Sequence, residues 1–319
     1  MTRHDMDAEA AAFDSQIRQR VDAGHIPDLR HCGRCEWFRN NPWRDRGFID
    51  LVYGERFRWL AARLAPGLRI LEVGCGPGYL SLELARAGHD VVGLDISQES
   101  LDVARRTAAE NPPQEGRVVY VAGDYLTLDA GDGFDVVVFN NALHHFSAQQ
   151  QAARRARALL GERGQVVVME PCRERMTAPS AAVWLLVETL LSAGGLYYET
   201  APLLASEREL QERLDVCLRR GRYEDEAGNP VQSPHDLAAT HEGMLAAMEE
   251  TFDTVDHDWE GAFYAGIIGG LRCAAPEDEV RLARHIRLVD RFLVESGTLP
   301  AVGFRWRGRV RQTEGDGRA

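Results

Sequence analysis

The sequence predicts an α/β protein: a doubly wound, seven-stranded sheet with an N-terminal helical segment and an inserted helical cap. Three observations predict it. Apolar, β-branched runs alternate with helical patterns from Leu68 to Met169, a glycine cluster lies between the first such run and the first helix, and the alternation breaks after Pro171. Leu68–Val73, Asp90–Ile96, Val118–Ala122, Phe134–Phe139 and Gln165–Met169 read as strands, with helices over Tyr79–Ala87, Glu99–Glu110 and Ala148–Leu160 between them. Near-continuous Val/Ile/Leu strands divided by helices call for a parallel sheet covered on both faces.

The flanking segments have a different texture. Residues 1–60 are helical and aromatic-rich and must fold back over the sheet, residues 61–171 form the binding core, and residues 172–232 read as an inserted lid. Within the lid, Met176–Ala193 is an apolar helix candidate, and Ser206–Arg220 is amphipathic, with Leu210, Leu214, Cys217 and Leu218 on one stripe. Residues 233–312 return to the core with helices Pro234–Glu250 and Pro276–Glu295 and strands six and seven at Thr254–Trp259 and Gly303–Val310. Residues 313–319 are expected to be a disordered tail.

Composition narrows the chemistry. The 319 residues are 45% hydrophobic, ordinary for a globular protein, with a formal net charge of −12 that disfavours a nucleic-acid partner. No lysine occurs, so all 37 basic residues are arginine, and chemistry that needs an ε-amine is excluded: a pyridoxal Schiff base, a lysine nucleophile, a phosphate-loop lysine. Met1–Ala12 has no secretory leader pattern, and the longest apolar run, Ala181–Val187, is far short of the ~18 residues of a membrane span. A cytoplasmic protein without a membrane partner is expected, its six cysteines remaining thiols.

The glycine cluster, Leu71-Glu72-Val73-Gly74-Cys75-Gly76-Pro77-Gly78-Tyr79, closes a strand and opens a helix, so its backbone amides are expected to face the crevice at the carboxyl edge of the sheet. A dinucleotide fingerprint, G-x-G-x-x-G, fails in both registers: its third glycine falls on Tyr79 or on Ser81. The pattern E-x-G-x-G-x-G instead resembles motif I of the class I S-adenosylmethionine-dependent methyltransferases, of small-molecule type, and the likeness runs motif by motif over residues 68–171 of a Rossmann-like core. The resemblance implies that Gly74, Gly76 and Gly78 form the loop under the methionine part of the cofactor, with Glu72 polarising it. It also implies that Asp95 holds the ribose hydroxyls, with Ile96 against the adenine. Asp124 would accept from the adenine amino group, Tyr125 would flank the ring, and Asn140 would meet the cofactor's amino group. A carboxylate on a vicinal diol makes two charge-assisted hydrogen bonds, which is sound chemistry.

Methyl transfer needs positioning, and a hydroxyl acceptor also needs a base. His144 and His145 follow strand four and open onto the crevice, where imidazole titrates near working pH, and Glu170 ends strand five. The paired histidines and the acid resemble the small-molecule methyltransferases that act on natural-product sugars, so these residues are the catalytic candidates, against the reading that the loop simply packs. His235, His241 and His257 read as surface or cap residues. Cys32 and Cys35 have the spacing of a metal knuckle but no second knuckle follows, so no metal is expected. Trp37, Phe38, Trp43, Trp184, Leu186, Tyr197 and Tyr198 are candidates for an acceptor pocket, with Arg44, Arg46 and Arg173 near its mouth, while Val183–Leu191 reads equally as packing or as a homodimer face. The expected function is O-methylation of a small hydrophobic, aromatic or glycosylated specialised metabolite, yielding S-adenosylhomocysteine. N- or C-methylation, a nicotinamide oxidoreductase and a non-catalytic cofactor-binding protein are the alternatives.

Overall fold

The computed structural model describes residues 3–33, 35, 41–129, 131–201, 203–236 and 239–311. The tail therefore lies outside the described residues, as do Trp37 and Phe38. The strands are β1 (Arg69–Val73), β2 (Asp90–Asp95), β3 (Arg117–Ala122), β4 (Phe134–Asn140), β5 (Leu160–Pro171), β6 (Phe252–Glu260) and β7 (Gly303–Val310). They form one seven-stranded sheet in the order β3-β2-β1-β4-β5-β7-β6. The first five run parallel, and β7 enters antiparallel between β5 and β6.

The helices, in chain order, are α1 (Arg3–Asp22), α2 (Arg46–Ile49), α3 (Glu55–Ala61), α4 (Tyr79–Arg86), α5 (Gln98–Glu110), α6 (Gln149–Leu159), α7 (Ala178–Ala193), α8 (Glu207–Arg222), α9 (His241–Thr251) and α10 (Pro276–Glu295). Alternation along the strands fills both faces of the sheet. Leu71, Val73, Val137 and Phe139 pack against α6 and α9, whereas Ile70, Val136, Val138 and Met169 pack against Trp59 and Leu60 of α3 and Leu80 and Leu84 of α4. β5 runs past the apolar segment that reads as a strand, by five residues at its N-terminal end and two at its C-terminal end, while β1 begins one residue later than read.

The order of elements is as expected, with three shifts. The helix expected from Pro234 begins at His241, because Thr240 caps it, its side chain accepting from the Gly243 amide. The segment placed in an N-terminal cap as far as residue 60 already includes α3, which belongs to the sheet's core. The lid does not pack alone: Trp184 and Leu191 of α7 and Cys217 of α8 share one apolar cluster with Phe48, Phe263, Ile268 and Ile286, so α2, α10 and the loop after β6 complete it. Helix α7 buries Ala181, Trp184, Leu185 and Leu191 and exposes Leu186 and Leu190.

Candidate active site

The β1–α4 turn is closed by its own hydrogen bonds. Gly74 and Cys75 amides donate to the Leu94 carbonyl at 2.8 and 3.0 Å, the Gly76 amide donates to Asp95 Oδ2 at 2.7 Å, and the Gly78 amide donates to the Cys75 carbonyl at 3.0 Å. The expectation that these amides face the crevice is therefore corrected: those of Gly74, Cys75 and Gly76 tie the turn to β2 and that of Gly78 closes the turn on itself, which leaves a diphosphate no donors among the four. Two glycines are required by conformation. Gly78 has φ +79°, and a Cβ there would lie 2.6 Å from the Tyr120 hydroxyl and 2.7 Å from the Ala104 Cβ. Gly76 has φ +51°, and its missing Cβ would meet nothing within 4 Å, because it faces the cavity.

Glu72 lies beneath this turn, buried, accepting from the Ser81 hydroxyl. Burial pushes its carboxyl up to about 8, so it holds a proton at neutral pH. Neither Glu72 nor Gly78 borders the cavity, so they support the turn from behind.

Gly74, Gly76, Asp95, Ile96, Asp124, Tyr125 and Asn140 do border one common cavity of about 1720 Å³. Asp95 accepts from Gly76 through one oxygen and from the Ser97 amide at 2.8 Å through the other; a carboxylate with roughly four acceptor positions keeps two for a ligand. Burial raises its carboxyl above the ordinary value, against the pull of those amides. Asp124 spends part of its capacity on its own turn, accepting from the Leu126 amide at 3.0 Å and the Thr127 hydroxyl at 3.1 Å. The Tyr125 ring stands edge-on to Phe139 and Phe146, with its hydroxyl anchored on the Ala152 carbonyl at 3.1 Å. Asn140 donates to the Tyr79 hydroxyl at 2.8 Å, while its own Oδ1 is buried with no partner among the described residues. A spare carboxylate pair, an open glycine and an orphaned amide oxygen on one wall fit a nucleoside carrying a diol and an amino group. Asn141, next in the chain, is held at φ 52° with its side chain accepting from Arg56 at 2.9 Å.

The two histidines are adjacent in sequence, and their surroundings move their pKa values in opposite directions. Glu170 is fully buried behind them: its Oε1 accepts from the Ala142 and Leu143 amides, each at 2.8 Å, and its Oε2 meets His144 Nδ1 at 2.6 Å. The other nitrogen of His144 approaches Asp236 at 3.4 Å, an ion contact without hydrogen-bond geometry, and Asp236 is paired to Arg173 at 2.5 Å. Burial works against protonation of His144, but Glu170 and Asp236 outweigh it and raise its pKa. His145 goes the other way. Burial lowers its pKa although Glu9 pulls upward, and its Nδ1 lies 2.9 Å from Glu9 Oε1. Ligating atoms of His144, His145 and Asp236 lie within 4.8 Å of one another, yet Glu170, Glu9 and Arg173 already engage all three residues, so the charges balance as a network of side chains.

Helix α1 supplies residues that sequence reading missed. Glu9, Phe13 and Gln16 border the cavity, and Asp14 accepts from the Ser97 hydroxyl at 2.6 Å beside Asp95. No motif marks these positions; only the fold brings them to the site. An aromatic group of Trp43, Tyr53 and Tyr79, with ring centroids 4.9–5.8 Å apart, lines the same wall.

The expected acceptor pocket is partly rearranged. Trp43, Trp184 and Tyr198 border the cavity. Leu186 instead faces solvent at 57% exposure, and the Tyr197 hydroxyl donates to Glu188 at 2.9 Å away from the cavity. Arg44 is a structural clamp, bound to the Gly269 carbonyl at 2.8 Å and Glu279 at 2.7 Å, and Arg46 is exposed away from the cavity. Arg173 alone of the three borders it, neutralised by Asp236 and stacked on Tyr223. His235, His241 and His257 stay off the cavity wall, but His241 is buried at the start of α9 and is not the surface or cap residue expected, and Cys32 and Cys35 are both free thiols.

A doubly wound sheet with a cavity at the carboxyl ends of β1, β2 and β4 has the place where open α/β sheets bind their ligands. Comparison with known proteins narrows the reading. Residues 70–164 match the family described as Methyltransferase domain. The chain is similar to a ubiquinone biosynthesis O-methyltransferase of Mesorhizobium japonicum, 41% identical over 140 residues that make up 40% of this chain and 55% of that protein. It is also similar to an O-antigen chain terminator bifunctional methyltransferase/kinase, WbdD, of Escherichia coli, 32% identical over 222 residues, 68% of this chain and 28% of that protein. The chain thus spans about half the length of the ubiquinone relatives it matches. Its fold is similar to that of the (4+2)-cyclase SpnF, with a TM-score of 0.52 and 17% identity over 96% of each chain. The core of this chain is a class I S-adenosylmethionine-dependent methyltransferase domain, and its cofactor is S-adenosylmethionine.

Proposed function

We propose that the protein methylates a hydroxyl group of a small, apolar specialised metabolite of aromatic or glycosylated type. The observation that carries this reading is the single cavity of about 1720 Å³ running from Asp95 and Gly76 past Asn140 and His145 to Trp184 and Tyr198. It exceeds the roughly 300–1,000 Å³ of one small-ligand pocket, which leaves acceptor space beside the cofactor and favours turnover over cofactor storage. The ubiquinone relatives are named as O-methyltransferases, which supports oxygen as the accepting atom. The net charge of −12 suits a small molecule better than RNA. No helix among the described residues is long and apolar enough to cross a membrane, and the cytoplasm is the compartment we assign. A homodimer, if formed, would rest on the exposed Leu186 and Leu190.

S-adenosylmethionine supplies a methyl group on a sulfonium, whose loss leaves a neutral thioether. Asp95 and Asn140 would hold its nucleoside and amino ends, Asp124, Tyr125 and Ile96 would hold its base, and Glu72, Gly74 and Gly78 keep the turn in shape. Positioning of this kind is worth roughly 7–11 kcal/mol. Adjacent groups whose environments push their pKa values apart mark the division of acid and base roles: His145, neutral and on the cavity wall, takes the acceptor's proton. His144, on the same wall with its Nδ1 held by Glu170, and Glu170 behind it position the loop.

Thermal unfolding with S-adenosylmethionine, S-adenosylhomocysteine and NADH tests the cofactor, since a ligand of the native state raises stability by RT ln(1 + [L]/Kd). Stabilisation by NADH and by neither sulfur compound would transfer the protein to the nicotinamide oxidoreductases. A mass-spectrometric scan of phenols and glycosides for a gained methyl then tests the acceptor, and binding without transfer to any hydroxyl would leave a cofactor-binding protein or an N- or C-methyltransferase.

A further inference from the structure

We propose that Glu9, on the N-terminal helix α1, is the positioning residue that makes His145 the proton acceptor, an inference that rests on the reading that a hydroxyl acceptor is deprotonated here. Glu9 is 1% exposed and reaches the site from far along the chain. Its Oε1 lies 2.9 Å from His145 Nδ1 and accepts from the Ser233 hydroxyl at 2.6 Å, while its Oε2 accepts from the His235 amide at 3.2 Å. The carboxylate is therefore fixed by two donors besides the histidine, and Phe13, one turn on, holds the imidazole edge-to-face at 5.4 Å.

A carboxylate on Nδ1 keeps a neutral imidazole in the tautomer with its proton there, so Nε2 carries the lone pair. Nε2 of His145 has no partner among the described residues, and His145 borders the cavity. The charged or titratable groups facing this ring are Glu9, His144 and Asp236. His144 also borders the cavity, but Glu170 holds its Nδ1 and its Nε2 is buried 3.4 Å from Asp236, whereas the His145 side chain is the more exposed of the two, which favours His145 as the base. In the step, the acceptor hydroxyl passes its proton to Nε2 as its oxygen bonds the methyl carbon. The carbon–sulfur bonding pair departs with sulfur as a neutral thioether, and the imidazolium so formed is matched by the Glu9 carboxylate.

The test uses full-length protein labelled with ¹⁵N-histidine and saturated with S-adenosylhomocysteine, the His145 signals being assigned by their loss in His145→Gln. The wild type is expected to show a neutral ring protonated on Nδ1 at neutral pH. Glu9→Gln should give mixed tautomers and drop the His145 pKa by about 1 unit further, with Glu9→Asp restoring most of both, and methyl transfer to a hydroxyl acceptor should fall about 100-fold. Asp14→Asn loosens α1 at its other anchor, so it should weaken cofactor binding and leave the tautomer alone. A wild-type proton on Nε2 would overturn the proposal, as would a tautomer and titration unmoved in Glu9→Gln. If Glu9→Gln unfolds, Glu9→Asp decides: a wild-type tautomer supports the proposal and a scrambled one in a folded protein overturns it. Failure of the wild type to bind S-adenosylhomocysteine would instead strike the cofactor reading.

Discussion

The cavity has two ends built on different principles. At the cofactor end, the turn after β1 is fixed by neighbours: Gly76 to Asp95, Ser81 to Glu72 and Ser97 to Asp95 are all joined within 19 residues of one another. At the acceptor end, partners come from opposite ends of the chain: Glu9 and Ser233, Gln16 and Gln232, Arg56 and Glu260 are separated by 204 or more positions. The first end is a local device carried by the sheet; the second exists only once α1, the loop before α9 and the segment after β6 have docked. A site assembled this way keeps its binding apparatus while its acceptor wall is free to change.

The largest effect is expected at the local end. Asp95→Ala removes both hydrogen bonds to a diol and the tether of Gly76, so affinity for S-adenosylhomocysteine should fall by about 100-fold or more in calorimetry, and an unchanged affinity would mean the cofactor lies elsewhere. Gly78→Ala should lower unfolding stability by about 3 kcal/mol, from a left-handed φ and a clash with Tyr120. Full stability in denaturant titration would show that the turn is looser than its hydrogen bonds imply.

Acid should separate the two ends next. Burial depresses His25 from 6.5 to about 3, so the unfolded chain takes up a proton below pH 6.5 that the folded protein refuses. The His25 contribution to stability is complete above pH 6.5 and lost as pH falls toward 3, amounting to about 2 kcal/mol by pH 5. His25→Leu, beside Trp43, should flatten that slope relative to wild type, and parallel slopes would deny His25 its buried state. The smallest effect is expected at Leu186, whose removal from the pocket predicts that Leu186→Ser changes stability by less than about 0.5 kcal/mol and leaves acceptor KM within twofold; a large rise in KM would return it to the acceptor wall.

This division also explains what could be read in advance. The succession of strands along the chain, the glycine turn, and the places of Asp95, Asp124 and Asn140 on the cavity wall were legible because each of these positions lies at the carboxyl end of one of the first four strands. The histidine loop was legible as a place, but the contrast between His144 and His145 was not, since it depends on Asp236 and Glu9, which one sequence leaves unmarked among 49 acids. Arg44 and Leu186 misled for a related reason: residue type suggests a pocket lining, and only tertiary packing decides whether a guanidinium clamps carbonyls or a leucine meets water. The start of α9 was misplaced because Pro234 and Thr240 both open helices, and the side-chain acceptor prevailed.

Strand β7 has one more implication. Among the described residues it is the only sheet neighbour of β6 and the only strand beside the outer edge of β5. Until residue 310 has been synthesised, a nascent molecule exposes a bare apolar edge at β5 and an orphan ribbon at β6, both templates for pairing with another chain. Biogenesis of this protein is thus most vulnerable in the interval just before synthesis of that ribbon is complete, and shortening the chain by even that one strand would turn a folding problem into an aggregation problem.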